Sequence, residues 1–227
     1  VGENGMKDIE LNAEYIVAQR AMFYNVSIVY SICKRLFDIV AALAAVILLS
    51  PVFSIVAVII KLDSRGPVFF HQKRIGFMGK PFYMHKFRSM VTDAEERFEE
   101  VEDKNEISGF MFKIRNDPRV TKVGKIIRKT SIDELPQLFN VIKGEMSIVG
   151  PRPPIGREVQ KYDAWHNLRL SVKPGITGLW QVSGRNDIGF EDMCRLDLKY
   201  IRERNFKNDL KIIFRTIPVL LGDNRAS

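Results

Sequence analysis

Ile39-Val-Ala-Ala-Leu-Ala-Ala-Val-Ile-Leu-Leu-Ser-Pro-Val-Phe-Ser-Ile-Val-Ala-Val-Ile-Ile60 is a run of 22 residues without a charge. As one straight helix it would measure about 33 Å, the thickness of a bilayer core. Pro51 near its midpoint removes a backbone donor and leaves the Ile47 carbonyl without its helical partner. In hydrocarbon that carbonyl must be satisfied, and the Ser50 hydroxyl is placed to bond back into the preceding turn. The run therefore reads as two arms of roughly 11 residues, each about 16 Å long and able to cross one leaflet. Lys34 and Arg35 precede it; Lys61, Arg65, Lys73 and Arg74 follow. Basic flanks at both ends give a spanning helix no preferred direction, and they agree with each other if both ends stay on one side. The pattern favours a re-entrant hairpin broken at Ser50-Pro51 over a single span. An ordinary core helix is seldom apolar on every face over this length.

The whole chain has 227 residues, enough for one or two domains, with a formal charge of +8 and a pI near 9.5. That sign suits a polyanionic partner: nucleic acid, anionic lipid headgroups or a nucleotide-phosphate substrate. Cys33 and Cys194 are the two cysteines. They form no metal-ligand pattern, and they point to a reducing compartment rather than a disulfide framework. The opening Val1-Gly-Glu-Asn-Gly5 is consistent with a trimmed start and the removal of an upstream domain.

Residues 7–37 read as a helix of mixed polarity. After the apolar run, Gly66-Pro67 breaks the chain, and 69–75 and 82–87 read as strands around the loop 76–81. Thr92 caps an acidic helix over 93–103 with a solvated face. Residues 105–109 are a polar connector, Phe112–Arg115 a short extended piece, and 116–118 a turn. Val123–Lys129 is a basic helical segment, and Pro151-Arg-Pro-Pro154 is extended. Two loops, 173–178 and 183–186, flank an aromatic strand containing Trp180. Helices follow over 190–204 and 209–221. The last is basic and amphipathic, suited either to the headgroup layer or to packing on the core.

Ser131-Ile-Asp-Glu-Leu-Pro-Gln137 sets two carboxylates, Asp133 and Glu134, among cations. Ser131 and Glu134 match a capping box, in which both acids would be structural. Pro136 must lie in a first helical turn, so the helix starts near Asp133 or Glu134 and leaves Asp133 at its positive end. The same end gathers phosphate. An ionised carboxylate beside Arg128 and a divalent cation could attack phosphorus once the diphosphate charge is neutralised. Successive acids do not share a helix face, so the two would take different roles.

From Lys34 onward the chain resembles the bacterial sugar transferase family, the monotopic polyprenyl-phosphate phosphoglycosyl transferases. The motifs occur in order: Lys34-Arg-Leu-Phe-Asp38, the Ser50-Pro51 break, Gly66-Pro-Val-Phe-Phe70, Gln72-Lys-Arg-Ile-Gly76 and Lys86-Phe-Arg-Ser-Met90. Then come Arg119-Val-Thr-Lys-Val-Gly124, Arg128–Gln137, Gly144–Pro153 and Lys173–Asn186. Each motif alone is weak, and the ordered set is specific.

The resemblance implies an α+β fold: a membrane re-entrant helix-break-helix plus a small cytosolic helical domain with short strands and amphipathic surface helices. The division is an N-terminal helical extension over 1–33, the hairpin over 34–62 and a cytosolic catalytic domain over 63–227. The implied protein is monotopic on the cytosolic face of the bacterial inner membrane, in contact with its lipids. It would transfer a phospho-sugar from a UDP-sugar to a polyprenyl phosphate such as undecaprenyl phosphate, releasing UMP and initiating exopolysaccharide or lipopolysaccharide synthesis. Carried over by position, Asp133 is the nucleophile and a magnesium ligand, Mg2+ being required, and Glu134 serves metal or acid–base work. Arg128, Arg152 and Arg185 are candidate phosphate contacts, with Arg74, Lys86 and Arg88 either substrate-binding or structural.

Two other readings stand beside this one. A non-catalytic basic membrane module explains the charge but not two acids among the cations; a phosphatase would use the same site with water as acceptor. Nucleic-acid binding is disfavoured, because most of the phenylalanines sit in apolar context rather than interleaved with basic residues. The motifs name neither the sugar nor an oligomeric state, although an oligomer is compatible with them.

Overall fold

The computed structural model describes residues 26–101, 103, 114, 116–184 and 188–220. It is a mixed helix-and-sheet structure, opening with a bent helix pair: α1 (Ile28–Leu48) and α2 (Ser50–Asp63), inclined by 60° across the break. Pro51 takes the first turn of α2, where its missing donor is not needed. The Ser50 hydroxyl donates to the Ile47 carbonyl at 2.8 Å, as the sequence required. The arms are longer than the expected 11 residues, because α1 begins at Ile28 and runs through the anticipated 33/34 boundary. Its 21 residues include Lys34, Arg35 and Asp38, and among the described residues no single helix is long and apolar enough to cross a membrane. The expected helix over 7–37 otherwise lies outside the described residues, as do 105–109 and most of 112–115.

α1 has two unlike faces. Ile32, Leu36, Val40, Leu43 and Ile47 recur at helical spacing and are exposed, Ile47 by 70%. They continue into Ile55, Val58 and Leu62 of α2, the last 82% exposed. The opposite face docks on the rest of the chain through Lys34, Arg35, Asp38 and Ala42. Asp38 is 3% exposed. Its carboxylate accepts from Lys34 Nζ (2.9 Å), Ser147 Oγ (2.7 Å) and the Ile148 amide (3.1 Å). Arg35 donates to the carbonyls of Val141 and Ile142 at 2.7 and 2.9 Å.

β1 (Phe69–Ile75) and β2 (Pro81–Phe87) form the antiparallel hairpin read from the sequence, with Phe69 opposite Phe87 and Ile75 opposite Pro81. α3 (Lys122–Lys129) is capped by Thr121, whose hydroxyl accepts from the Gly124 amide. α4 (Gln137–Lys143) ends at Gly144, whose φ of 87° favours glycine. Asn140 ties α4 to β2, accepting from the His85 amide and donating to the Tyr83 carbonyl. Ala42, Phe82, Met84, Leu138, Val141 and Met146 make the core between α1, β2 and α4; Val56, Ile60, Phe87 and Ile127 make a second under α2.

Two expectations fail here. Over 93–101 the acidic stretch is a series of turns with a 3-10 turn at Glu96–Phe98, not an α-helix. Ala94 and Val101 are buried, and Phe98 lies beneath the guanidinium groups of Arg157 and Arg119, so this segment packs rather than floats. Trp180 is not in a strand. The strand is β4 (Gly175–Thr177), within the stretch expected to be a loop, and it pairs in parallel with β3 (Ser147–Val149). A Cβ on Gly175 would stand 2.1 Å from the Gly150 nitrogen, so only glycine permits this approach.

After short helices α5 (Gly156–Val159) and α6 (Ala164–Asn167), α7 (Phe190–Glu203) and α8 (Phe206–Leu220) close the fold. Ile212 packs with Val149, Val182 and Leu198, whereas Phe214 and Ile217 on α8 are exposed. Of the two roles its sequence suggested, the structure shows the packing on the core; another side presents apolar groups beside exposed Lys207 and Lys211.

Removing one partner of a buried ion pair strands the other. Asp38→Ala should lower unfolding stability by about 3–5 kcal/mol, read from denaturant titration in detergent. A change below about 1 kcal/mol would show that α1 docks by other means.

Candidate active site

The dyad does not begin a regular helix. Ser131 is left-handed (φ 55°, ψ 16°), Ile132–Glu134 make one 3-10 turn, and Pro136 is the N-cap of α4. A capping serine needs extended backbone, and the Ser131 side chain makes no cap hydrogen bond, so the capping box is not formed. Asp133 accordingly precedes α4 rather than occupying its positive end. It is buried, 8% exposed, next to Glu134, which lines a cleft.

That cleft collects residues from segments far apart in sequence: Arg74 at the end of β1, Met84 and Lys86 on β2, Glu134 and Gln137. Arg152, Pro153, Gly175, Ile176, Trp180 and Gln181 complete it. Parallel pairing of β3 and β4 brings the last group together, with the Gly175 amide donating to the Pro151 carbonyl at 2.9 Å. Lys86 Nζ lies 3.2 Å from Glu134 Oε1. Arg74 is buried and bonds only neutral acceptors, donating to the Pro153 carbonyl (2.9 Å) and to Gln72 Oε1 (2.6 and 3.0 Å). Burial, and then the neighbouring Arg152, push its guanidinium down to about 9, which leaves it protonated at neutral pH. Arg152 Nη1 stands 3.5 Å from Glu158 Oε1 and has no hydrogen-bond partner among the described residues. Arg74 and Arg152 line one cleft, and Glu158 and Glu134 offset only part of their charge, so the cleft favours an anion.

Of the residues expected at the site, Glu134, Lys86 and Arg152 share this cleft, with Asp133 adjoining in sequence. Arg88 is elsewhere: it donates to the carbonyls of Ile60, Ser64 and Arg65, closing the C-terminal end of α2 over Gly66. Arg128 is exposed at the end of α3. It faces Asp117, whose carboxyl, against the upward push of burial, is held low by Arg119 with Arg128 adding to it. Arg185 lies outside the described residues. Arg74, which the sequence left between phosphate contact and structural ion pair, lies in the cleft, whereas Trp180 and Gln181 were not expected there and read as a strand.

Among the described residues no group of three or more His, Cys, Asp or Glu side chains could hold a metal. Two adjacent carboxylates suit a magnesium ion shared with substrate phosphates and water, not one caged by protein alone.

Residues 29–223 match the family described as bacterial sugar transferase, and the chain belongs to it. It is 46% identical over 219 residues to the galactosyl transferase CpsE of Streptococcus agalactiae serotype III, covering 96% of this chain and 48% of that one. It is 44% identical over 191 residues to the exopolysaccharide production protein ExoY of Rhizobium meliloti, covering 82% and 84%. The undecaprenyl-phosphate glucose phosphotransferase of Komagataeibacter xylinus is 44% identical over 199 residues, covering 81% and 35%. The chain thus spans about half the length of CpsE.

A bound anion should relieve the Arg74–Arg152 repulsion. Inorganic pyrophosphate at a hundredfold excess over its dissociation constant should stabilise the protein by about 2.7 kcal/mol, read from thermal unfolding. Arg74→Met should abolish the shift, and an undiminished shift would place the anion elsewhere.

Proposed function

We propose that this chain transfers a phospho-sugar from a UDP-sugar to undecaprenyl phosphate, releasing UMP, as the first membrane step of exopolysaccharide or related surface-glycan synthesis. The supporting observation is the family match over residues 29–223, joined to a cleft where Glu134, Lys86, Arg74 and Arg152 converge beside Asp133. Relatives at similar identity carry galactose or glucose in their names, so the hexose is left unassigned.

In this reading an Asp133 carboxylate oxygen attacks the phosphorus that bears the sugar, and the bond to UMP breaks. An oxygen of the lipid phosphate then attacks the same phosphorus and frees the carboxylate. Arg74, Arg152 and Lys86 hold the diphosphate oxygens as charge builds on them. Arg128 and Arg185 enter as phosphate contacts by motif position only. Glu134, tethered by Lys86, serves the metal or a proton. Magnesium, when bound with the diphosphate, neutralises its charge and makes attack by an anion feasible.

The exposed apolar stripe of α1 and α2 supports a monotopic placement in one leaflet, and a UDP-sugar donor calls for the cytosolic face of the inner membrane. A pair bent by 60° could enter one leaflet and return, keeping the dyad near the lipid phosphates.

Asp133→Asn should abolish UMP release with a UDP-sugar panel, undecaprenyl phosphate and Mg2+, whereas Glu134→Gln should keep part of it. Full activity in Asp133→Asn would remove the covalent route. Sugar phosphate released without lipid acceptor would indicate transfer to water.

A further inference from the structure

Pro151-Arg-Pro-Pro154 carries Arg152 to the cleft, yet three of its four residues lack an N–H, so it cannot be held as a sheet strand is. It is held by its carbonyls. The Gly175 amide donates to that of Pro151 and the Ile75 amide to that of Pro154, both at 2.9 Å. Arg74 Nη1 donates to the Pro153 carbonyl at 2.9 Å. Arg169 Nη2 donates to the Arg152 carbonyl at 3.2 Å. Each carbonyl of the segment thus has a donor, and that of Arg152 is met by a residue outside the cleft lining.

Arg169 and Asp197 of α7 are both buried. Arg169 Nε and Nη2 lie 2.8 and 2.7 Å from one oxygen, Asp197 Oδ2, and Nη1 donates to the Tyr162 hydroxyl at 2.7 Å. Asp197 Oδ1 is closed off from solvent and has no hydrogen-bond partner among the described residues. An ion pair buried with one oxygen unmet adds little to fold stability, because desolvating the two charges offsets most of their attraction. Its effect is geometric. The guanidinium is planar, and Nη2 carries two hydrogens; one meets Asp197, and the other meets the Arg152 carbonyl. The head of Arg152 is held separately: Glu158 accepts from the Ile155 amide at 3.1 Å and stands 3.5 Å from Arg152 Nη1.

We infer that Arg169, fixed by Asp197, is a positioning residue for Arg152: it sets the backbone point from which the Arg152 guanidinium reaches a bound diphosphate. This rests on reading Arg152 as a phosphate contact. Neither member of the buried pair lines the cleft, and together they carry no net charge. Their removal therefore acts on anion binding and turnover through Arg152 rather than through the field in the cleft.

The test is a cycle between the buried pair and Arg152, using the full chain in detergent. Arg169→Met combined with Asp197→Leu replaces both charges at once, so neither is stranded, and its melting temperature should stay near that of wild type. Affinity for inorganic pyrophosphate is measured without nucleotide sugar or lipid. kcat/KM for UMP release is measured with the preferred UDP-sugar, undecaprenyl phosphate and Mg2+. The double replacement should lower each by about tenfold. In an Arg152→Met background it should lower each by less than about twofold, because the residue it positions is gone. Arg169→Lys keeps the charge beside Asp197 but lacks the fork that also reaches the Arg152 carbonyl. It should show the same coupling, and it decides the matter if the double replacement fails to fold. Equal losses in both backgrounds would overturn the inference and leave the pair a part of the fold alone; wild-type values for both quantities would overturn it too. If Arg152→Met by itself binds pyrophosphate and turns over as wild type does, the phosphate reading of Arg152 falls, and the inference with it. If wild type releases no UMP from any UDP-sugar, the nucleotide-sugar reading falls, and the pyrophosphate cycle alone upholds or overturns the positioning role.

Discussion

The buried carboxylate of Asp38 is the joint on which the rest of the structure depends. It belongs to a helix whose outer face is apolar and exposed, and it binds the first residues of β3. β3 carries β4 beside it, and the loop after β3 supplies Arg152. Lys34, which pairs with Asp38, also donates to Ser147 at 2.6 Å and approaches Asp209 at 3.8 Å. Asp209 accepts from the Tyr30 hydroxyl at 2.8 Å and lies 2.9 Å from that of Tyr200. Burial pushes the Asp209 carboxyl up, with Lys34 and the two hydroxyls pulling the other way. One polar network thus joins α1 to α7, α8 and the floor of the cleft. With the apolar contacts around Ala42, these buried, paired groups hold the helix that bears the exposed apolar stripe in place relative to the cleft.

The other end of the hairpin is fixed by Arg88, whose guanidinium closes the carbonyls at the end of α2. These would otherwise be orphaned where the chain turns at Gly66. The same residue had been a candidate for phosphate, and its carbonyl partners show why charge type alone misleads. Arg74 is the converse: a buried guanidinium bonded to neutral acceptors that shares the cleft with Arg152. In the proposed reading the pair is repulsive until a diphosphate lies between them, and this preorganisation favours anions.

Much of the fold was legible in the residues. The break at Ser50-Pro51 followed from one missing donor and one available hydroxyl, and the β1–β2 hairpin from alternation around a glycine loop. The strands β3 and β4 were not legible: three residues each, rich in glycine beside the pairing, they lack any periodic signal. Their pairing is long-range, and it decides which arginine reaches the cleft. The capping box failed because Ser131 adopts a left-handed backbone that no local propensity announces. The acidic segment looked like a helix by composition, yet its buried Val101 and covered Phe98 hold it in turns. The dyad was legible by motif; the company of Trp180 and Gln181 required the fold.

The central claim is that Asp133 carries the phospho-sugar between donor and lipid. Intact-protein mass measurement after mixing with the preferred UDP-sugar and Mg2+, with lipid acceptor withheld, tests it most directly. The account predicts one equivalent of UMP and a mass increase of one hexose phosphate on Asp133, discharged when undecaprenyl phosphate is added. An unmodified protein that releases UMP only after the lipid arrives would contradict it, leaving direct transfer in its place.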